Sequence, residues 1–144
     1  MIKVIEIFRT REELDKLVNT PNPKYKSGIR NRAILVVLCY AVLRVSELNN
    51  LKLSDVREKD NSIRVNNAKR KSSRLVYIPE YVFHYIDKWK EVRPNSKYLF
   101  CSRYGKKLLP DYIQKMVKRY ANKIDPHKGY TPSLLKALYS YNMA

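Results

Sequence analysis

A chain of 144 residues, 44% of them apolar, is one domain by length (residues 1–144) and can fill an ordinary core. Thirty Lys and Arg against 13 Asp and Glu leave a formal charge of +17, which costs self-repulsion and points to a polyanionic partner, nucleic acid ahead of a membrane surface. Two cysteines, Cys39 and Cys101, and two histidines without ligand-like neighbours exclude a disulfide framework and offer no metal spacing, so no metal or cofactor is expected.

"TREELDKLV" opens with Thr10 as N-cap and Glu13 three residues on, a capping box, and Leu14, Leu17 and Val18 then share one helical face. Pro21 and Pro23 end that helix. A second helix is expected from about Ile29 to Leu43, apolar nearly all round toward its end and therefore deeply buried, with Cys39 as a small core residue. Its uncharged run, Ala33 to Leu43, is far short of the ~20 residues that span a bilayer. No signal peptide is legible, so an intracellular place, in cytoplasm or nucleoid, is expected. Arg44 follows at once, a permanently charged group costly beside a core unless something pairs with it; Glu47 at i,i+3 is one candidate. Ser46 is the expected cap of a short further helix carrying Leu48 and Leu51.

After Asp55 the period changes. "SIRVNN" and "RLVYIP" alternate and are β-branched, with polar "AKRKSS" between them, which predicts a hairpin with a basic tip. "EYVFHYIDKWKEV" returns to helical spacing through Val82, Ile86 and Trp89. "KYLFCS" reads as a further short strand, turned by "RYGKK". "PDYIQKMVKRYANKI" is the clearest amphipathic helix, with Pro110 at its start and Ile113, Met116, Val117, Tyr120 and Ile124 as the stripe. "TPSLLKALYSYNMA" has Thr131 as N-cap and Pro132 at the first helical position. The expected fold is mainly α with a small antiparallel β-sheet near the middle of the chain.

"RNRAILVVLCYAVLRVSELNNLKLSDV" resembles the first signature box of the tyrosine recombinases, the phage-integrase-like enzymes: a helix, a Gly-Leu-Arg-x-Ser-Glu-Leu turn, then Leu-x-x-x-Asp. Val42 stands where the family has glycine. "AKRKSSRLVYIP" is similar to the following hairpin, whose lysine lies five residues before an arginine, which matches Lys69 and Arg74. The resemblance runs from about Thr10 to the end and implies the recombinase catalytic-domain fold. Such enzymes attack a DNA phosphodiester with a tyrosine, so negative charge grows on the non-bridging oxygens. By resemblance Arg44 is then a phosphate clamp, since a forked guanidinium matches two oxygens, and Lys69 a general acid for the leaving 5′-hydroxyl. Without catalysis, Lys69 is a basic tip touching phosphate nonspecifically. Arg70, Lys71 and Arg74 of the hairpin, Arg103, Lys106 and Lys107 of the "RYGKK" turn, and Lys118 and Arg119 of the helix after Pro110 are the further candidate DNA contacts.

The second box departs from the family. Where members read Thr-Pro-His-x-Leu-Arg-His, this chain has "TPSLLKA": Ser133 for the first histidine, Lys136 for the second arginine, Ala137 for the last histidine. Lys136, the third candidate catalytic residue, keeps charge but not the fork. The family's N-terminal DNA-clamping domain and its tyrosine segment are expected to lie outside these 144 residues. The resulting expectation is an integrase-like binder of double-stranded DNA that does not cleave alone. Its rivals are an active recombinase fragment completed by a tyrosine in trans, and a basic RNA-binding protein. Leu134, Leu135 and Leu138 also predict association through the C-terminal helix, with a second copy or a partner segment.

Overall fold

The structure, a computed structural model, describes residues 11–41, 43–67 and 70–124. The described elements are α1 (Arg11–Asn19), α2 (Lys26–Ala41), α3 (Val45–Asn49), β1 (Val56–Arg57), β2 (Ser62–Asn67), β3 (Ser72–Tyr77), α4 (Glu80–Val92) and α5 (Pro110–Ile124), with single 3-10 turns at Leu53–Asp55 and Glu58–Asp60. The protein is mainly α with one small antiparallel sheet, ordered β1-β2-β3. Thr10, Lys69 and the whole "TPSLLKALYSYNMA" segment, with Lys136 and the leucines expected to associate, lie outside the described residues.

Between Ala33 and Ala41 every residue of α2 except Tyr40 is buried, whichever side of the helix it occupies. Burying each Ile or Leu there contributes roughly 1.5–3 kcal/mol relative to exposure, so α2 can spare no face for water. The amphipathic helices pack inward around it: α1 through Leu17 and Val18, α4 through Val82, Phe83, Ile86 and Trp89. On α5, Ile113, Met116, Val117 and Ala121 are buried, while Tyr120 and Ile124 are partly so, and the helix lies against α1 and α3. Cys39 and Cys101 are both free and buried; burial, and then the Asp15 carboxylate, push the Cys39 thiol far up, which keeps it protonated and unreactive.

Two sequence expectations need correction. α2 starts at Lys26, three residues ahead of Ile29, because the Pro21–Tyr25 turn docks directly onto it. Asn22 organises that turn, its Oδ1 accepting from the Lys24 N–H at 2.9 Å and its carbonyl from the Tyr25 N–H at 3.3 Å. Gly28 makes the approach possible, since a Cβ there would lie 1.7 Å from the Asn22 carbonyl oxygen. "YLFC" is not a strand: it makes only the isolated bridges Lys52↔Tyr98 and Cys101↔Lys107. Its hydrogen bonds go to the loop after α3 (Leu99 N–H to Leu51 O, 2.8 Å), and the Trp89 Nε1–H fixes the Leu99 carbonyl at 2.8 Å.

Candidate functional site

The site begins where α2 stops. Leu43 stays in the core, and Arg44 turns outward in an extended conformation at the N-cap position of α3 (φ −75°, ψ 153°). The apolar run had suggested an arginine held close to the core, but Arg44 is exposed. Nor does Ser46 cap α3; it is the second residue of that helix and exposed. The cap comes from Glu47, whose Oε1 accepts the Arg44 backbone N–H at 2.9 Å. The same carboxylate takes a forked pair from Arg74, Nη1 to Oε2 at 2.7 Å and Nη2 to Oε1 at 3.3 Å. Sheet register explains this reach. Cross-strand partners share a face, and Val65 opposes Arg74 as Ile63 opposes Val76, so Arg74 stands on the buried face of β2, which packs on α3. The Glu47 bond holds the Arg74 guanidinium above its ordinary pKa.

This arrangement leaves the Arg44 guanidinium without an ion pair among the described residues. It opens onto a cleft of about 320 Å³ lined also by Ser46, Glu47, Asn50, Asn66, Asn67 and Arg70. Asn67 shapes the hairpin tip beside it, its Oδ1 accepting the Arg70 N–H at 3.2 Å, and Lys71 completes the tip in the left-handed region (φ 47°). Lys107 reaches the cleft through Asn50, donating its Nζ to Asn50 Oδ1 from just past the turn at Gly105 (φ 76°). Asn49 ties α3 to the approach of α5 through the Leu108 carbonyl. Asp55 holds the loop below, its Oδ2 accepting the Lys52 N–H at 2.9 Å.

Of the residues expected from sequence, Arg44, Arg70, Arg74 and Lys107 therefore converge. Lys71 and Lys106 are exposed on the hairpin and the turn, and Lys118 and Arg119 are exposed on α5, Arg119 lying over the Tyr120 ring at 5.2 Å. Arg103 does not join them: it stacks on Tyr104 at 4.7 Å and lines a different cleft, with Arg30. Sequence reasoning missed Glu47 as the link between α3 and the hairpin, and the amides Asn50, Asn66 and Asn67. The capping position of Glu47, three residues past Arg44, was the available signal; its partner 27 residues away left none.

A family model, that of the phage integrases, matches residues 8–143. The chain belongs to the phage integrase family. It is 31% identical over 138 residues to the putative tyrosine recombinase TTE1313 of Caldanaerobacter subterraneus subsp. tengcongensis, covering 93% of this chain and 47% of that protein. Against tyrosine recombinase XerA of Thermococcus kodakarensis the identity is 37% over 127 residues, 83% of this chain and 44% of the relative. This integrase-family chain thus spans about half the length of the curated relatives it matches. Among solved structures, the XerA recombinase crystal structure superposes with a TM-score of 0.79 at 27% identity, covering 90% of this chain and 47% of that one. A lambda integrase dimer bound to a COC′ core site shares the fold, with a TM-score of 0.71 at 16% identity over 90% of this chain and 38% of that one.

Proposed function

We propose that this chain is the DNA-gripping part of a tyrosine recombinase, and that Arg44 is its phosphate clamp. The observation that carries the reading is the orientation of Arg44. An exposed guanidinium with no ion pair among the described residues sits on a polar cleft beside Arg70, at the position that matches the first catalytic arginine of the resemblance. A fork so placed donates to two non-bridging oxygens of one phosphodiester. Glu47 does not compete for it, because that carboxylate is engaged by Arg74. Lys69, the lysine five residues before Arg74 in the sequence, is the proton donor in this reading, and Arg70, Lys71, Lys106, Lys107, Lys118 and Arg119 hold the duplex by its backbone. That solved relatives in complex with difH or a transposon end share this fold supports double-stranded DNA as the partner.

We further propose that the chain cleaves no DNA alone. Ser133, Lys136 and Ala137 stand where the family's second box carries histidine, arginine and histidine, and lysine cannot replace a bidentate fork. A covalent-complex assay with the purified chain on nicked suicide duplexes tests this directly, and no adduct is expected. An adduct on a tyrosine of this chain would reverse the conclusion; adduct formation only after a downstream segment is added in trans would favour a split enzyme. In parallel, duplex affinity should fall steeply with salt, roughly 0.9 in log–log slope per phosphate contacted, with little sequence dependence. Arg44→Ala should lower that slope by about one. An affinity indifferent to salt, or preference for single-stranded RNA, would defeat the reading.

A further inference from the structure

The other end of α2 holds a second group of cations. A cleft of about 250 Å³ there has Trp89 and Pro94 as apolar walls and Lys26, Arg30, Arg93 and Arg103 as charged ones, and no carboxylate lines it. Arg30 is the unusual member, only 6% exposed. Its Nε donates to Asn31 Oδ1 at 3.0 Å, its Nη1 to the Cys101 carbonyl at 3.2 Å and its Nη2 to the Tyr112 hydroxyl at 2.6 Å, with the Tyr112 ring centre 5.4 Å from Cζ. All of these partners are neutral. Two of its five N–H donors remain, and a guanidinium cannot escape burial by losing its proton.

Arg93 repeats the pattern. Its Nη2 is spent on the Ser96 and Tyr98 carbonyls, while its buried Nε has no partner. None of the four cations forms an ion pair among the described residues. The positive end of the α2 dipole adds to them, with no acidic residue in the first turn to offset it. Burying charge without a counter-charge is expensive, and an anion entering such a place meets a field far less screened than in water.

We propose that this cleft is a second phosphate site, and that it takes a backbone phosphate of duplex DNA. The inference rests on the DNA reading above but can fail without it. Lys26 and Arg103 are exposed and carry no structural hydrogen bond to the core, which makes Lys26→Gln with Arg103→Gln the working variant. Lys16→Gln with Lys59→Gln, exposed and away from both clefts, removes the same charge as a control.

Binding of a labelled non-specific duplex is measured across a salt series. At about 50 mM salt the cleft variant should bind roughly tenfold more weakly, with a salt slope smaller by about one, and the control should lose about twofold at most. Inorganic phosphate should raise the melting temperature of the wild-type chain and leave the cleft variant unmoved. Equal losses in cleft and control variants overturn the proposal. Phosphate protection without a change in duplex affinity also overturns it, leaving a site for a free anion. Wild-type chain that binds no duplex at all would fail the DNA reading itself, whereas loss confined to Arg44→Ala would keep that reading and reject this site.

Discussion

The two ends of α2 each carry an arginine next to the same apolar run, and the fold treats them oppositely. Arg30, inside the helix, is buried against neutral acceptors; Arg44, three residues past its end, is exposed while a carboxylate nearby serves a different arginine. The difference lies in what packs above each position. α5 and the Cys101 segment close over Arg30 through Tyr112 and the Cys101 carbonyl, and Asn31 adds a bond to the Tyr120 hydroxyl at 3.0 Å. At the other end α3 turns the chain out, and the Glu47 carboxylate, a candidate partner for Arg44, is taken by Arg74. Charge near a core segment thus says little about burial until its neighbours are known.

The N-terminal end is the easier to break. Gly28→Ala pushes a methyl into the Asn22 carbonyl, backbone against backbone, and should cost about 3 kcal/mol, read as a lower urea midpoint at unchanged slope. If stability hardly changes, the Pro21–Tyr25 turn does not define the start of α2.

Breaking the C-terminal end should cost less. Arg74→Met leaves the Glu47 carboxylate, 8% exposed, with one partner removed. A loss of about 2 kcal/mol is expected, below that of a fully buried pair because Arg74 itself is half exposed. Duplex affinity should drop as well, because the hairpin is no longer fastened to α3. A double-mutant cycle with Glu47→Gln isolates the coupling.

Arg30→Met sharpens the comparison by separating charge from packing. An unbranched apolar side chain of similar length fills the space and removes an unpaired buried charge, but it leaves Asn31 Oδ1 and the Cys101 carbonyl without their donor, so a net loss of about 1 kcal/mol is expected. Duplex binding should weaken all the same. Arg44→Met should be nearly silent in stability, within about 0.5 kcal/mol, as expected for an exposed side chain.

The smallest effect lies away from both ends. Glu58 has its carboxyl raised above the ordinary 4.5 by a hydrogen bond with Asp87, then by burial and by the Asp87 charge. With the folded value above the unfolded one, the stabilising bond is fully present below the unfolded value and lost as pH rises through the folded one. Asp87→Asn should therefore raise the melting temperature slightly at pH 7, by roughly a degree, and leave it unchanged or lower near pH 4. Equal shifts at both pH values would mean that the two carboxyls do not share a proton.

Much of this molecule was legible in its sequence. Five described helices and the main hairpin follow from period and punctuation: the stripe on α5, Pro110 at its start, the β-branched alternation of "SIRVNN". Those signals are local, carried by residues within a few turns of each other. The first-box pattern also singled out Arg44, just past the end of α2, and identified the family to which the chain belongs. What the sequence could not provide were pairings across distance. Nothing near Glu47 marks Arg74 as its partner, because that bond depends on the register of β2 with β3 and on how the sheet meets α3. Nothing in "YLFC" shows that its backbone donors pair with the loop after α3 instead of a strand. The burial of Arg30 and the exposure of Arg44 are of the same kind: each is set by which segments close over the end of α2, and that is decided only when distant elements pack.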